Sequence, residues 1–326
     1  MVTQSIQIQV QDDASQGDQA PPGFQELVSS LVENIAKAVV ISQESIRFVV
    51  LGLITQGHIL LEDTPGVGKT LMAKTLANSI QGKFSRVQCT PDLLPSDITG
   101  TSIFNMKESN FEFRPGPVFS NILIADEINR TGPRTQAALL EAMAEFQVSA
   151  DGDIYPLPRP FLVIATQNMA ESHGVFPLPD SQLDRFLIRM SLGIPSMEQE
   201  VEILSRAEHG MEQVSPVVTT KQIVAMQAVV KRVNVALPVK EYIVNLAQAT
   251  RRHSLVSRGV SPRGTVLLQG AAQGWAAIDG RDYLIPDDVK RVAKLVLPHR
   301  IEVHSGSESA QREVIDEVLK SVPVPV

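Results

Sequence analysis

The chain has a single cysteine, Cys89, and lacks any long apolar run. One cysteine cannot form an internal disulfide or a Cys-based zinc site, which favours a reducing compartment and a packed thiol. The longest apolar run, Phe48–Ile54, falls far short of the roughly 20 residues that span a bilayer, so no transmembrane helix is predicted. No Lys or Arg precedes Lys37, although secretory and transit peptides begin with basic residues. We therefore expect a cytoplasmic protein without membrane insertion.

The sequence also has fewer basic than acidic residues. The sequence has 29 Lys and Arg against 36 Asp and Glu, a net charge of −7, which argues against a general nucleic-acid binder. Residues 1–200 carry 13 basic and 23 acidic side chains, a net charge of −10, whereas residues 201–326 carry a net charge of +3. This change in composition, together with the Gly-Ile-Pro-Ser stretch at Gly193–Ser196, predicts a domain boundary near residue 195.

At 326 residues the chain exceeds the usual size of one compact domain. Residues 1–22, rich in Gln, Asp and Ser, indicate a flexible tail, although alternating apolar residues there also permit a short edge strand. Residues 23–195 contain a strand, a glycine loop and a helix, then apolar runs that end abruptly in polar residues, as buried parallel strands do. Residues 196–326 show mainly helical spacing. The predicted fold is α/β, a parallel sheet between helices, followed by a smaller all-α domain.

The segment Glu62–Thr70, "EDTPGVGKT", is close to the P-loop pattern and stands between a strand and a helix. Backbone N–H groups of such a loop wrap phosphates, with Lys69 placed on the β- and γ-phosphates and Thr70 on Mg²⁺. The strict pattern has Gly where this chain has Asp63. That departure matters little if Pro65 and Gly66 make the turn and Gly68 allows the close approach of backbone to phosphate. A nucleotide phosphate group and Mg²⁺ are therefore expected at this loop.

Some fifty residues later, "ILIADE" forms an apolar run that ends in Asp126 and Glu127, the form of a Walker B strand. In this interpretation Asp126 belongs to the Mg²⁺ shell and Glu127 polarises the attacking water. A solvated acidic loop is the alternative for this segment in isolation, and the preceding P-loop makes the catalytic interpretation the stronger one.

Three further residues are candidates for the chemistry of phosphoryl transfer. Asn168 ends the apolar run "FLVIATQN", where its amide could hold the water or the γ-phosphate, or simply terminate a strand in a turn. Arg185 precedes another apolar run and could pair with Asp184 or reach the nucleotide of a neighbouring subunit. Arg263 follows a proline near a helix start and could point at phosphates, or be an ordinary surface arginine.

Taken together, the motifs closely resemble the MoxR family of AAA+ ATPases, from about Asn34 to Arg300. The strings that carry the resemblance are, in order, "EDTPGVGKT", "CTPDLLPSDITG", "GPVF", "ILIADEINR", "QAALLEAM", "YPLPRPFLVIATQN", "PLPDSQLDRF" and "SPRG". Of these, "TPDLLPSD", "ADEINR" and "LPDSQLDRF" are specific to the family rather than to P-loop proteins at large.

The resemblance implies a AAA+ nucleotide-binding domain with a helical lid, and a ring, usually hexameric, with ATP at the subunit boundaries. It also implies a chaperone-like machine that remodels or matures client complexes, including metal-cofactor insertion, with a von Willebrand factor A domain protein as partner. By matching motifs, Asn168 corresponds to sensor 1, Arg185 to the arginine finger and Arg263 to sensor 2. The residues implied to contact the nucleotide are Val40, Ile41, Pro65, Gly66, Val67, Gly68, Lys69, Thr70 and Leu71.

The sequence departs from the family pattern at several places. Ser42 stands where relatives usually have Gly, which affects the adenine contacts implied for Val40 and Ile41, and "QNMAESHGVFPLP" differs from the commoner "QNP" form. Residues 103–113 and 148–158 resemble the two β-hairpin inserts of this clade, the second with a turn at Asp151-Gly152. The resemblance implies that these hairpins face the ring's pore or the client. The alternative is that they are passive.

Two other functions compete with an ATP-driven remodeller. A nucleic-acid motor is a known activity of related rings, but only Lys107 and Arg114 lie near the first hairpin, which gives little of the positive groove that a strand requires. A slow, ATP-gated binding module is the other alternative; the presence of Glu127 disfavours an inactive ATPase but leaves a slow one open.

Overall fold

The computed structural model describes residues 23–64, 66–168, 175–209 and 214–325. The first part of the chain alternates helices and strands. Its helices are α1 (Phe24–Ala38), α2 (Gln43–Ile54), α3 (Lys69–Ser79), α4 (Pro95–Thr99), α5 (Pro133–Glu145) and α6 (Asp180–Leu183). Its strands are β1 (His58–Glu62), β2 (Phe84–Gln88), β3 (Gly100–Asn105), β4 (Asn110–Pro115), β5 (Ile122–Asp126), β6 (Gln147–Ala150), β7 (Asp153–Pro156), β8 (Leu162–Gln167) and β9 (Phe186–Met190).

Five of these strands form one parallel sheet in the order β2-β5-β8-β1-β9. The three inner strands are almost wholly buried, which explains why they are apolar runs rather than alternating sequences. One face packs Ile59, Ile124 and Ile164 against the buried sides of α1, α2 and α3. The other packs Leu123 and Val163 against α5. The predicted parallel sheet between helices is confirmed.

The second part of the chain is helical. It consists of α7 (Met197–His209), α8 (Thr220–Val230), α9 (Leu237–Arg252), β10 (Val256–Arg258), α10 (Pro262–Ile278), α11 (Pro286–Val296), β11 (Glu302–Val303) and α12 (Glu308–Ser321). Its core continues into that of α1 and α2, and α11 packs against β9 at the sheet edge. Gly274 allows α10 to lie close to α2, because a Cβ at this position would lie 2.6 Å from the Leu51 side chain of α2.

Both predicted hairpins are present, with bounds that differ slightly from the prediction. β3 and β4 pair from Gly100 to Pro115, and β6 and β7 pair from Gln147 to Pro156. The turn of the second hairpin lies at Asp151 and Gly152, whose positive φ angles of 53° and 88° suit a tight hairpin turn. The hairpins touch each other, since the rings of Phe113 and Tyr155 stack with centroids 4.0 Å apart.

Some predictions fall on residues that the structure does not describe: the tail of residues 1–22, Pro65 of the P-loop, and residues 169–174 of the divergent loop. The domain boundary at residue 195 stays a prediction. None of the described helices is long and apolar enough to cross a lipid bilayer.

Candidate nucleotide site

The predicted site residues lie at two opposite ends of the sheet. The carboxyl ends of β1, β5 and β8 bring together the P-loop, Asp126 with Glu127, and Asn168. Arg185 directly precedes β9, at the amino end of the same parallel sheet, where Phe186 is in register with His58 at the start of β1. The sequence therefore supplies one end with phosphate and metal ligands and the other with cationic side chains.

The P-loop has the backbone that phosphate binding requires. Gly66 and Gly68 have φ angles of 91° and 88°, in the left-handed region that favours glycine. Helix α3 begins at Lys69, so its free N–H groups and positive dipole end lie at the loop. The Lys69 Nζ donates to the carbonyl of Asp63, 3.0 Å away, across the loop. Val67 and Leu71 are partly buried and pack on the core beneath.

Asp63, the departure from the strict P-loop pattern, binds the segment that leads out of β9. Its buried carboxylate accepts hydrogen bonds from the N–H groups of Leu192 at 2.8 Å and Gly193 at 3.2 Å, and from the Ser191 hydroxyl. A glycine could make none of these contacts. The side chain thus fixes the start of the P-loop to the connection between β9 and α7.

The side-chain oxygen atoms of Asp126 and Thr70 lie close together. The Thr70 Oγ1 lies 3.5 Å from the Asp126 Oδ2, and the Thr166 Oγ1 donates to the Asp126 Oδ1 at 3.3 Å. Mg²⁺ prefers such oxygen ligands and usually takes only one or two protein carboxylates besides phosphate and water. The donor set therefore fits Mg²⁺.

Glu127 is held in place from several sides. It has a left-handed backbone with φ 57°, and its N–H donates to the Thr166 Oγ1 at 2.9 Å. Its Oε2 accepts from Gln88 at 3.1 Å and pairs with Arg130 at 3.0 Å.

Cys89 is buried near these acids. Its burial is the main cause that raises the pKa of the thiol to about 12, and the charges of Asp126 and Glu127 are the second cause, so the thiol stays protonated.

Asn168 is nearly buried just after β8, at the edge that also carries Asp126. Val40 and Ile41 lie between α1 and α2 and are partly buried. Ser42 caps α2, where its Oγ accepts from the N–H of Ser45 at 3.0 Å, and its φ of −62° does not require glycine. The departure at Ser42 therefore leaves this connection unstrained.

Arg185 does not meet its own P-loop. β1 begins beside Phe186 and ends at Glu62. At ~3.3 Å per residue, the strand places roughly 15 Å between Arg185 and the P-loop. The Arg185 Nη1 donates to the carbonyl of Leu140 in α5. The sequence left open an ion pair between Arg185 and Asp184. In the structure the Asp184 carboxylate pairs with two other arginines instead.

Those two arginines come from the helical part of the chain. Arg263 at the start of α10 lies 3.7 Å from the Asp184 Oδ2, and Arg300 lies 2.9 Å from the Oδ1. Arg300 is buried and also donates to the carbonyls of Asp184 at 3.1 Å and Phe186 at 2.6 Å, on both sides of Arg185. The predicted sensor 2 residue thus lies beside the predicted finger, at the end of the sheet opposite the P-loop.

Comparisons with known proteins identify the family of this chain. Residues 58–188 match the model of an ATPase family associated with various cellular activities (AAA), and residues 248–321 match a AAA lid domain. Chaperone MoxR1 of Mycobacterium tuberculosis is 39% identical over 331 residues, which cover 96% of this chain and 88% of that protein. This chain belongs to the MoxR family of AAA+ ATPases.

Two further relatives match this chain over most of their length. YeaC of Bacillus subtilis is 47% identical over 305 residues, covering 92% of this chain and 95% of that protein. A crystal structure of a protein from Cytophaga hutchinsonii superposes with a TM-score of 0.86 at 36% identity, covering 93% of this chain and 96% of that one. The resemblance to the MoxR family is therefore confirmed, and so is the helical lid.

Sequence reasoning missed four polar residues of this MoxR site. Arg86 and Gln88 lie on β2, which carries no apolar run and gave no strand signal. Thr166 contacts both Walker B acids, but it stands inside an apolar run. Arg300 lies outside every P-loop motif and 115 residues after Arg185. Neither an apolar run nor a regular alternation of apolar and polar residues marks β2 in the sequence.

Proposed function

We propose that this MoxR-family chain is an ATPase that binds ATP with Mg²⁺, hydrolyses it, and uses the cycle to remodel or mature client protein complexes. The observation that carries the proposal is the convergence of Lys69, Thr70, Asp126 and Glu127 at the carboxyl edge of one sheet. The N-terminus of α3 and the Lys69 ammonium bind the phosphates, and Thr70 and Asp126 hold the metal. When bound, Mg²⁺ neutralises the charge on the β- and γ-phosphates.

Glu127 serves as the base that orients and polarises the attacking water. Gln88 and Arg130 hold its Oε2 at the carboxyl edge of the sheet. Asn168 extends from the adjacent strand toward the same edge, where an amide could hold the water or the γ-phosphate. Val40 and Ile41 form the adenine side of the site.

The cationic end completes a site in the next subunit. Arg185 and Arg263 lie about one strand length from their own P-loop, so neither is placed to serve the phosphates that this loop binds. A head-to-tail ring, which we take to be a hexamer, would bring this end of one subunit to the P-loop of its neighbour. ATP would then lie between subunits.

The proposed clients and partner follow from family membership, and the name of MoxR1 describes that relative as a chaperone. We propose a von Willebrand factor A domain protein as partner, and metal-cofactor insertion among the maturation tasks. The first hairpin exposes Phe104, Met106 and Phe111 at its tip, which suits contact with apolar client segments. A nucleic-acid motor is disfavoured by the acidic first part of the chain, and an inactive ATPase by the intact Glu127.

Lys69→Ala is expected to weaken ATP binding by roughly tenfold to a hundredfold, because it removes a charge-assisted hydrogen bond to phosphate. Titration with a fluorescent ATP analogue measures this change. Lys74→Ala, which removes an exposed lysine of the same helix, is the matched control and should bind as the wild type does. Wild-type affinity in Lys69→Ala would overturn the assignment of the P-loop.

The ring is expected to be weak at high ionic strength without nucleotide. The acidic first part and mildly basic second part favour head-to-tail contact, but exposed charge pairs contribute about 0–1 kcal/mol each and are screened by salt. Light scattering after size exclusion should show smaller species at ~0.5 M salt, where the Debye length falls below about 5 Å, and recovery of the ring on addition of ATP. A salt-resistant ring without nucleotide would contradict this prediction.

A further inference from the structure

Arg86 lies beside the proposed metal ligands although it belongs to none of the P-loop motifs. It is on β2, where Gln88 is in register with Asp126 of β5. The Arg86 Nε donates to the Asp126 Oδ2 at 2.7 Å, and its Nη2 donates to the Gln88 Oε1 at 3.2 Å. About half of the Arg86 side chain is exposed, against 10% of the Asp126 side chain.

The two carboxylate oxygens of Asp126 are not equivalent. Oδ1 accepts from Thr166, on the neighbouring strand of the sheet. Oδ2 is the oxygen that lies 3.5 Å from the Thr70 Oγ1, so it is the one that would share a metal ion with Thr70. Arg86 donates to this same oxygen. A guanidinium therefore occupies one side of the atom on which Mg²⁺ depends.

We propose that Arg86 is a positioning residue that serves as the counter-ion of Asp126 before metal binds, and that Mg²⁺ displaces it from Oδ2 when the site loads. The proposal rests on the Mg²⁺–nucleotide site described above. Arginine stays charged at every physiological pH, so it neutralises Asp126 and keeps the carboxylate directed at Thr70. A divalent cation at Oδ2 would repel the guanidinium, and the exposure of Arg86 leaves it free to move into solvent.

This arrangement has a consequence for the order of loading. Mg²⁺ on its own must compete with Arg86, whereas Mg²⁺ that arrives with nucleotide brings phosphates whose charge compensates for the displacement. Arg86 thus sets the concentration of free Mg²⁺ at which the site fills. A pair that only fixed the position of the Asp126 carboxylate would have the opposite effect, because its loss would leave the metal ligand less well placed and raise the Mg²⁺ that is needed.

The test measures binding of a fluorescent ADP analogue as a function of free Mg²⁺, without hydrolysis. In Arg86→Gln and Arg86→Met the free Mg²⁺ needed for half-maximal binding should fall about three- to tenfold, as expected for removing one partly screened charge next to a divalent ion. Arg86→Lys keeps the charge and should stay close to the wild type. Arg134→Gln, which removes an exposed arginine of α5, is the control for loss of charge.

A second measurement uses Mn²⁺ as the probe and follows its electron paramagnetic resonance signal with no nucleotide present. The two uncharged variants should bind Mn²⁺ more tightly than the wild type by a similar factor. An unchanged or higher half-maximal metal concentration in folded Arg86→Gln and Arg86→Met would overturn the proposal. Loss of ADP binding at saturating Mg²⁺ in these variants would also overturn it, because Arg86 would then be a phosphate ligand. The P-loop assignment is tested separately by Lys69→Ala.

Discussion

Glu127→Gln is expected to retain ATP while its hydrolysis rate falls by about 10²- to 10⁴-fold, the usual contribution of a positioned general base. The substitution removes the charge that polarises water, but it leaves Asp126 and Thr70 to hold the metal and Lys69 to hold the phosphates. The glutamine carbonyl can still accept from Gln88 and Arg130, which now contact the Glu127 Oε2. The geometry of the site should therefore survive the change.

Two measurements separate binding from chemistry in this variant. A filter-binding assay should recover unhydrolysed ATP with the protein, and a single-turnover experiment should give the rate of the chemical step. Glu141→Gln, on the exposed side of α5, is the matched control and should turn over normally. The ring should remain assembled around trapped ATP. If turnover in Glu127→Gln equals that of the wild type, the acid that acts on water lies elsewhere.

The carboxyl edge of the sheet could be predicted from the sequence because its signals are local. The P-loop stands between a buried strand and a helix, and Gly66 and Gly68 are needed where φ is positive. The Walker B acids end an apolar run because an inner strand of a parallel sheet is buried on both faces. In such segments neighbouring residues determine both the conformation and the chemistry.

The contacts that connect distant segments could not be predicted in this way. Asp63 looked like a tolerated departure from a pattern, but its partners lie 128 to 130 residues away, after β9. The partially exposed strand β2 has no apolar run, so Arg86 and Gln88 had no predicted neighbours. Such positions depend on strand order, and one sequence does not specify which strand lies beside β5.

The placement of Arg263 is a further example. The start of a helix after a proline suggested either a guanidinium directed at phosphates or an ordinary surface arginine. The structure places it 3.7 Å from Asp184, on the side of the sheet away from its own P-loop. Both arginines with a proposed role in catalysis therefore share one end of the molecule, and Arg300 joins them to the lid.

Arg185→Ala is expected to bind ATP with near-normal affinity and to lose about 10³- to 10⁵-fold in hydrolysis rate, the contribution of an arginine finger to phosphoryl transfer. Binding should be spared because Lys69 and Thr70 lie at the opposite end of the subunit. Fluorescent-nucleotide titration and steady-state hydrolysis measure the two effects. Arg159→Ala, which removes an arginine that stacks on Phe146, is the control for loss of a charge outside the site.

Mixing two inactive variants then tests whether Arg185 acts across the subunit boundary. At ATP concentrations below its weakened affinity, a Lys69→Ala subunit loads little ATP but still offers its Arg185, whereas an Arg185→Ala subunit loads ATP but offers no finger. Rings that contain both should recover hydrolysis at those boundaries where an intact P-loop faces an intact Arg185. Native mass spectrometry establishes that mixed rings form. If they form and no activity returns, Arg185 works within its own subunit or only supports α5 through the Leu140 carbonyl, and the site between subunits is wrong.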